Sequence, residues 1–220
     1  MTSKWLLWFE CIAIFVVIPL LLWLRLVNTP LILIPVFIVC IPATVWLARK
    51  YGLSRAIFWS GNIRAERNQL RKIAKRFLVI SALLFAILFI GYPDHLFDMP
   101  RKTPLFWLLL MVVYPLFSVY PQELLYRAFF LHRYQPLFNK QHHLLLLNAI
   151  LFGWMHVVFH NILAVVFTLV AGWFFADTYH KTKSLRLACL EHALYGNLIF
   201  TLGYGEAFLF GPWLQYIYNI

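Results

Sequence analysis

FWLLLMVVYPLFSVYPQELLYR, residues 106–127, decides the fold. From Phe106 to Tyr120 the stretch reads as a membrane span, with Pro115 its only breaker. It then runs into Gln122, Glu123 and Arg127 without leaving apolar surroundings. On an α-helix Glu123 and Arg127 stand four residues apart on one face, within ion-pairing reach. An ionisable side chain inside a span is costly unless something pairs with it, which makes this the place to look for chemistry.

The rest of the 220-residue chain agrees with a membrane reading. It is 63% hydrophobic and 12% charged, against roughly half apolar and about a quarter charged for a soluble domain. The excess falls in runs long enough to cross a bilayer, which takes about 20 helical residues. The expectation is an all-α, polytopic bundle of about seven to eight membrane helices, forming a single integral membrane domain over 1–220. A soluble domain with a large core is excluded. Cys11, Cys40 and Cys189 lie in apolar runs without CxxC spacing and read as small buried hydrophobes, with no disulfide framework or zinc site. The formal net charge is +11, but nine of the nineteen Lys and Arg lie between Arg49 and Arg76. Such clustering beside a membrane points to anionic lipid as the partner and not to nucleic acid.

Along the chain, the first span covers Trp5 to Leu24, with a kink expected at Pro19, and the second Leu31 to Ala48. The start, Met1 to Lys4, leads into a full-length span and not into a cleavable signal peptide. In Ala65 to Arg76 the residues Leu70, Ile73, Ala74 and Phe77 recur at helical spacing beside basic residues, predicting an amphipathic helix on the membrane surface. The third span then covers Phe77 to Tyr92, and the fourth runs from Pro104 to about Gln135, where Pro136 stops it. Leu144 to Phe159, Ile162 to Tyr179 and Leu187 to Leu202 follow; Gly203 to Ile220 reads as a short helix or an interfacial segment. With the N-terminus inside, 15 basic residues face the inner side and 3 the outer, as the positive-inside rule demands. The short chain and this asymmetry favour a bacterial inner membrane with a cytoplasmic N-terminus.

Few polar groups remain at depth: Glu10, Gln122, Glu123, Arg127, Asn148, His156, Asn161, Glu191, His192 and Asn197. At ~1.5 Å per residue, Glu123 and His156 each lie ~18 Å from the inner ends of their helices, His192 roughly 10 Å and Asn197 ~17 Å. Three helices thus bring a carboxylate, two imidazoles and an amide to similar levels. In low dielectric such a set can polarise a water and stabilise an oxyanion. No serine or cysteine accompanies it as a nucleophile. Glu10, with no partner nearby in sequence, reads as a residue that hydrogen-bonds neighbouring helices together, and Arg127 as the ion-pair partner of Glu123. His132, His142 and His143 read as solvated interface residues. His160 follows His156 by four residues, so a metal held by His156, His160, Glu123 and His192 is a further reading, although no HExxH occurs.

These residues resemble the CPBP (CAAX protease and bacteriocin-processing, or Abi) family of glutamate-dependent intramembrane endopeptidases, which includes the type II CAAX prenyl endopeptidases. That family carries EExxxR, then FxxxH, then HxxxN or HxxxD. Here the three appear as Gln122 to Arg127, Phe152 to His156, and His192 to Asn197. The resemblance covers about Tyr114 to Phe200, within a catalytic core set at 104–202. It implies hydrolysis of a peptide bond in a membrane-anchored protein or peptide, in a cavity open to the cytoplasm and without a cofactor. It also implies a water activated by Glu123 and His156, His192 and Asn197 as oxyanion donors, and Arg127 and Gln122 in support.

Two departures stand out. The first glutamate of EExxxR is Gln122, and an amide cannot take a proton from water. Positions 122 and 123 differ by about 100° around a helix, so Glu123 would need a rotation or a shifted water to take over. His192 and Asn197 are five residues apart instead of four, about 140° around a regular helix, so a π-bulge or irregular turn at Gly196 is expected if they act together. Gln122 also opens the reading of a catalytically inactive relative, serving bacteriocin immunity or partner binding.

Overall fold

The computed structural model describes residues 3–24, 49 and 63–208. No strand occurs among them. Five helices are long and apolar enough to cross a membrane: α1 Lys4–Trp23, α2 Ile63–Gly91, α3 Pro104–Arg133, α4 Gln141–Phe159 and α5 Ile162–Thr182. A sixth, α6 Leu185–Leu202, is not among these, because Arg186, Glu191, His192 and Asn197 dilute its apolar character. Seven to eight membrane helices were expected; the span Leu31 to Ala48 and the tail beyond residue 208 lie outside the described residues, as do Lys50 and Arg55 of the basic segment. Outward faces are apolar, with Leu105 and Ile90 each 82% exposed. The protein is an integral membrane protein.

Prolines shape the two kinked spans. A proline has no N–H for the carbonyl four residues earlier and crowds it. Ahead of Pro19, α1 widens into a π turn, Ala13–Val17. In α3 one π turn begins at Pro115 (Pro115–Val119), and a second, Leu124–Phe129, follows Pro121. Widened turns of this kind absorb the steric misfit and tend to occur at functional sites.

The amphipathic stretch Ala65 to Arg76 is not a separate surface helix. It is continuous with the third span in the 29 residues of α2, a rod ~43 Å long. Its inward stripe is Gln69, Ile73, Leu84 and Leu88, all buried, with Arg76 between them and half-buried, while Leu70 is 41% exposed. The apolar face read from sequence was thus rotated by about one residue. The true stripe contains polar residues because its neighbours on α5 and α6 are polar there. Arg64, Arg67, Arg71, Lys72 and Lys75 point outward.

The core gathers aromatic rings from α1, α3 and α4. Phe15 meets Tyr126, Phe130 and Tyr134 edge-on, with ring centroids 5.1, 5.0 and 6.0 Å away. At the other end, the peptide N–H of Phe97 donates to the carbonyl of Leu202 at 2.9 Å. Gly203, at φ +124°, closes that junction, where a Cβ would collide with the carbonyl of His95. The chain then turns through Gly205–Phe208.

Glu10 holds neighbouring helices together, as expected, through a partner that is distant in sequence. Arg133 donates to both its oxygens, Nε at 3.0 Å and Nη2 at 2.7 Å, and the Tyr134 hydroxyl donates at 3.0 Å. This fork ties α1 to the end of α3. A double-mutant cycle of Glu10→Ala and Arg133→Ala, followed by thermal unfolding in detergent, is expected to give a coupling of about 1 kcal/mol; additivity of the two would show that the pair is only incidental.

Candidate functional site

Glu123 lies between the two π turns of α3, fully buried. Its carboxylate is held from both sides. Arg127 Nε donates to Oε2 at 3.1 Å, and His192 Nδ1 on α6 lies 2.9 Å from Oε1. Breaking such a pair by removing one partner typically costs about 3–5 kcal/mol, because the other charge is stranded.

Arg127 is equally buried, and a second donation, from Nη1, goes to Asn148 Oδ1 on α4. Asn148 in turn donates from Nδ2 to the carbonyl of Tyr126 at 2.8 Å, so one amide clamps both side chain and backbone of α3. The guanidinium lies over the ring of Phe152, 4.7 Å from its centroid. Asn148 was noted in the sequence as a polar residue at depth but given no role. The signal that could have found it is its i, i+4, i+8 spacing with Phe152 and His156, which lines the three up on one face of α4.

Phe152 is the hub of the site. His156 packs on it at 4.9 Å and His192 at 5.5 Å between ring centroids. His156 Nδ1 lies 2.7 Å from the Phe152 carbonyl. A carbonyl only accepts, so that nitrogen carries the hydrogen and the neutral ring keeps its lone pair on Nε2. His192 is stacked on Phe175 at 4.6 Å and 18°. Trp154, inside the FxxxH stretch, donates its indole N–H to the Val16 carbonyl at 3.2 Å, which anchors this part of α4 to the π turn of α1. The Phe208 ring stands edge-on to His156, with centroids 6.4 Å apart.

Asn197 is placed elsewhere. Helix α6 is an ordinary α-helix through Gly196, with no π-bulge, so Asn197 turns away from His192. Its Nδ2 donates to the Met111 carbonyl on α3 at 3.3 Å. That carbonyl is the one Pro115 leaves without a helical donor. Gln122 is half-buried and its amide donates to Ser118 Oγ at 2.8 Å, one turn back along α3.

The four-ligand metal set does not converge. His160 is in the left-handed region, and its ring stacks on Trp23 at 6.1 Å. The one grouping of metal-type ligands among the described residues is His95, Asp98 and Glu206, at the opposite loop. Asn161 caps α5 by accepting from Leu163 N at 2.9 Å. His132, His142 and His143 are exposed.

Gly196 faces the ring of Tyr114, which leaves no room for a Cβ, and Tyr114 stands edge-on to His192 at 6.0 Å. Gly196→Ala is therefore expected to push Tyr114 toward His192 and to destabilise the protein by about 1–3 kcal/mol. Thermal unfolding in detergent checks this, and a wild-type midpoint would show that the ring gives way freely.

Residues 101–198 match the family model described as Type II CAAX prenyl endopeptidase Rce1-like. Comparison with curated proteins and with solved structures returns no match. The matched segment starts beside α3 and ends one residue past Asn197, so it contains Glu123, Arg127, His156 and His192 in the order the three motifs require, and over these residues the chain is similar to that family.

Proposed function

We propose that the protein is an intramembrane endopeptidase that hydrolyses a peptide bond near the C-terminus of a membrane-anchored or lipidated protein or peptide. The observation that carries this reading is the contact of Glu123 Oε1 with His192 Nδ1 at 2.9 Å, buried and backed by Arg127. A carboxylate with both oxygens engaged is a counter-charge and a positioning group more than a free base. The proton acceptor is then His156, whose Nε2 lone pair is left open by the Nδ1 contact with Phe152. His156 takes a proton from water, and the water oxygen bonds to the scissile carbonyl carbon. His192, protonated on both nitrogens, keeps Nδ1–H on Glu123 and donates Nε2–H to the developing oxyanion. As the C–N bond breaks, His156 returns the proton to the leaving amine.

In this reading Asn197 joins the oxyanion site only if it leaves the Met111 carbonyl; as placed, it braces α6 against α3. No cofactor takes part. The substrate enters from the membrane, and the outward basic row of α2 rests on anionic lipid of the cytoplasmic leaflet, with the N-terminus on that side. A bacterial plasma membrane is the setting that fits the charge asymmetry.

Glu123→Gln and His156→Asn are each expected to slow cleavage of a membrane-anchored reporter peptide about 10²-fold or more while the protein still inserts. Full activity in both would overturn the mechanism. Gln122 favours a second reading, a catalytically inactive relative that binds a partner, since its side chain is turned onto Ser118. Gln122→Glu separates the two. The protease reading expects turnover within a few-fold of wild type; activity that appears only in the variant would establish the inactive relative.

A further inference from the structure

A second buried polar cluster lies behind the site and has no part in the chemistry above. Glu191, next to His192 on α6, is fully buried. Its Oε1 lies 2.8 Å from Arg76 Nη2 on α2, and its Oε2 accepts from the Thr178 hydroxyl on α5. Gln69, two turns before Arg76, donates to Thr178 at 2.7 Å and completes the cluster. Consecutive residues on a helix point about 100° apart. Glu191 and His192 therefore engage different neighbours: α2 and α5 on one side, Glu123 of α3 on the other.

The coupling is doubled on α5. The Arg76 guanidinium sits over Phe174, 4.6 Å from its centroid, and the next residue, Phe175, is stacked on His192. Two adjacent pairs, Phe174 with Phe175 and Glu191 with His192, are each gripped by Arg76 on one member and by the site on the other. Such an arrangement fixes the rotation of α6 about its own axis. A rotation of ~10° at a side-chain radius of ~5–6 Å moves His192 by ~1 Å, and displacements of that size can cost about 10²-fold in rate. Arg76 lies on α2, outside residues 101–198 where the family match falls.

We infer that Arg76 is a positioning residue: by holding Glu191 it sets the orientation of α6 and so the placement of His192 against Glu123. The catalytic half of the inference rests on the endopeptidase reading; the structural half does not. The experiment therefore has two readouts. In detergent-solubilised protein carrying 15N-labelled histidine, the His192 ring resonances are assigned by their loss in His192→Asn and then followed in Arg76→Gln. Arg133→Ala, which breaks the separate pair with Glu10, is the control. The His192 resonances are expected to move in Arg76→Gln, to return toward wild type in Arg76→Lys, and to stay put in the control. In the cleavage assay kcat is expected to fall about 10-fold or more with KM within about twofold, recovering in part with Arg76→Lys. If Arg76→Gln does not yield folded protein, Glu191→Gln, which retains a hydrogen-bonding group, takes its place, and a moved His192 resonance is expected in it. Unmoved His192 resonances in every folded variant overturn the positioning role. Moved resonances in a protein without turnover sustain it and place the failure with the endopeptidase reading.

Discussion

A carboxylate buried completely inside a membrane helix is the constraint on which this architecture depends. Glu123 cannot be left without partners in low dielectric. Arg127 supplies the cation one turn away, but a buried guanidinium brings its own demand for acceptors. Asn148 meets part of that demand from α4, leaving Nη2 without an acceptor among the described residues, and His192 meets Glu123 from α6. One expensive charge thus draws three helices into contact, and the aromatic rings of Phe152 and Phe175 fill the space between the polar groups. The same residues that make the charge tolerable are those that can act on a bound water and a carbonyl.

Prolines serve this design through the backbone groups they leave unused. A soluble helix would solvate a carbonyl that has lost its donor, whereas a membrane helix must find another partner. Met111, deprived by Pro115, receives the amide of Asn197. Val16, within the π turn ahead of Pro19 and next to Phe15, whose carbonyl that proline deprives, receives the indole of Trp154. Each kinked stretch is thus an attachment point for another helix, and both attachments end on motif-bearing stretches.

Much of this was legible in the sequence because membrane helices obey simple length and depth rules. Apolar runs bounded by Pro104 and Pro136 gave α3 to within two residues, and counting rise per residue put Glu123 and His192 at compatible levels before any contact was known. The i, i+4 relation of Glu123 and Arg127 is local and survives the π turns. What escaped were pairings between distant segments. Glu10 and Arg133 are 123 residues apart, and nothing in either neighbourhood announces the other. The face of α2 was misread because its inward residues include Gln69 and Arg76, which periodicity assigns to water. The destination of Asn197 depended on a vacated carbonyl, a feature of backbone and not of side-chain pattern.

The turn that carries Phe208 has a consequence for the site. Its ring stands edge-on to His156, and it also meets Phe159 and Phe200. A change that displaces this turn acts on the environment of the imidazole without touching Glu123, His156 or His192. The turn 205–208 is therefore part of the surroundings of the site, although it lies outside all three motifs.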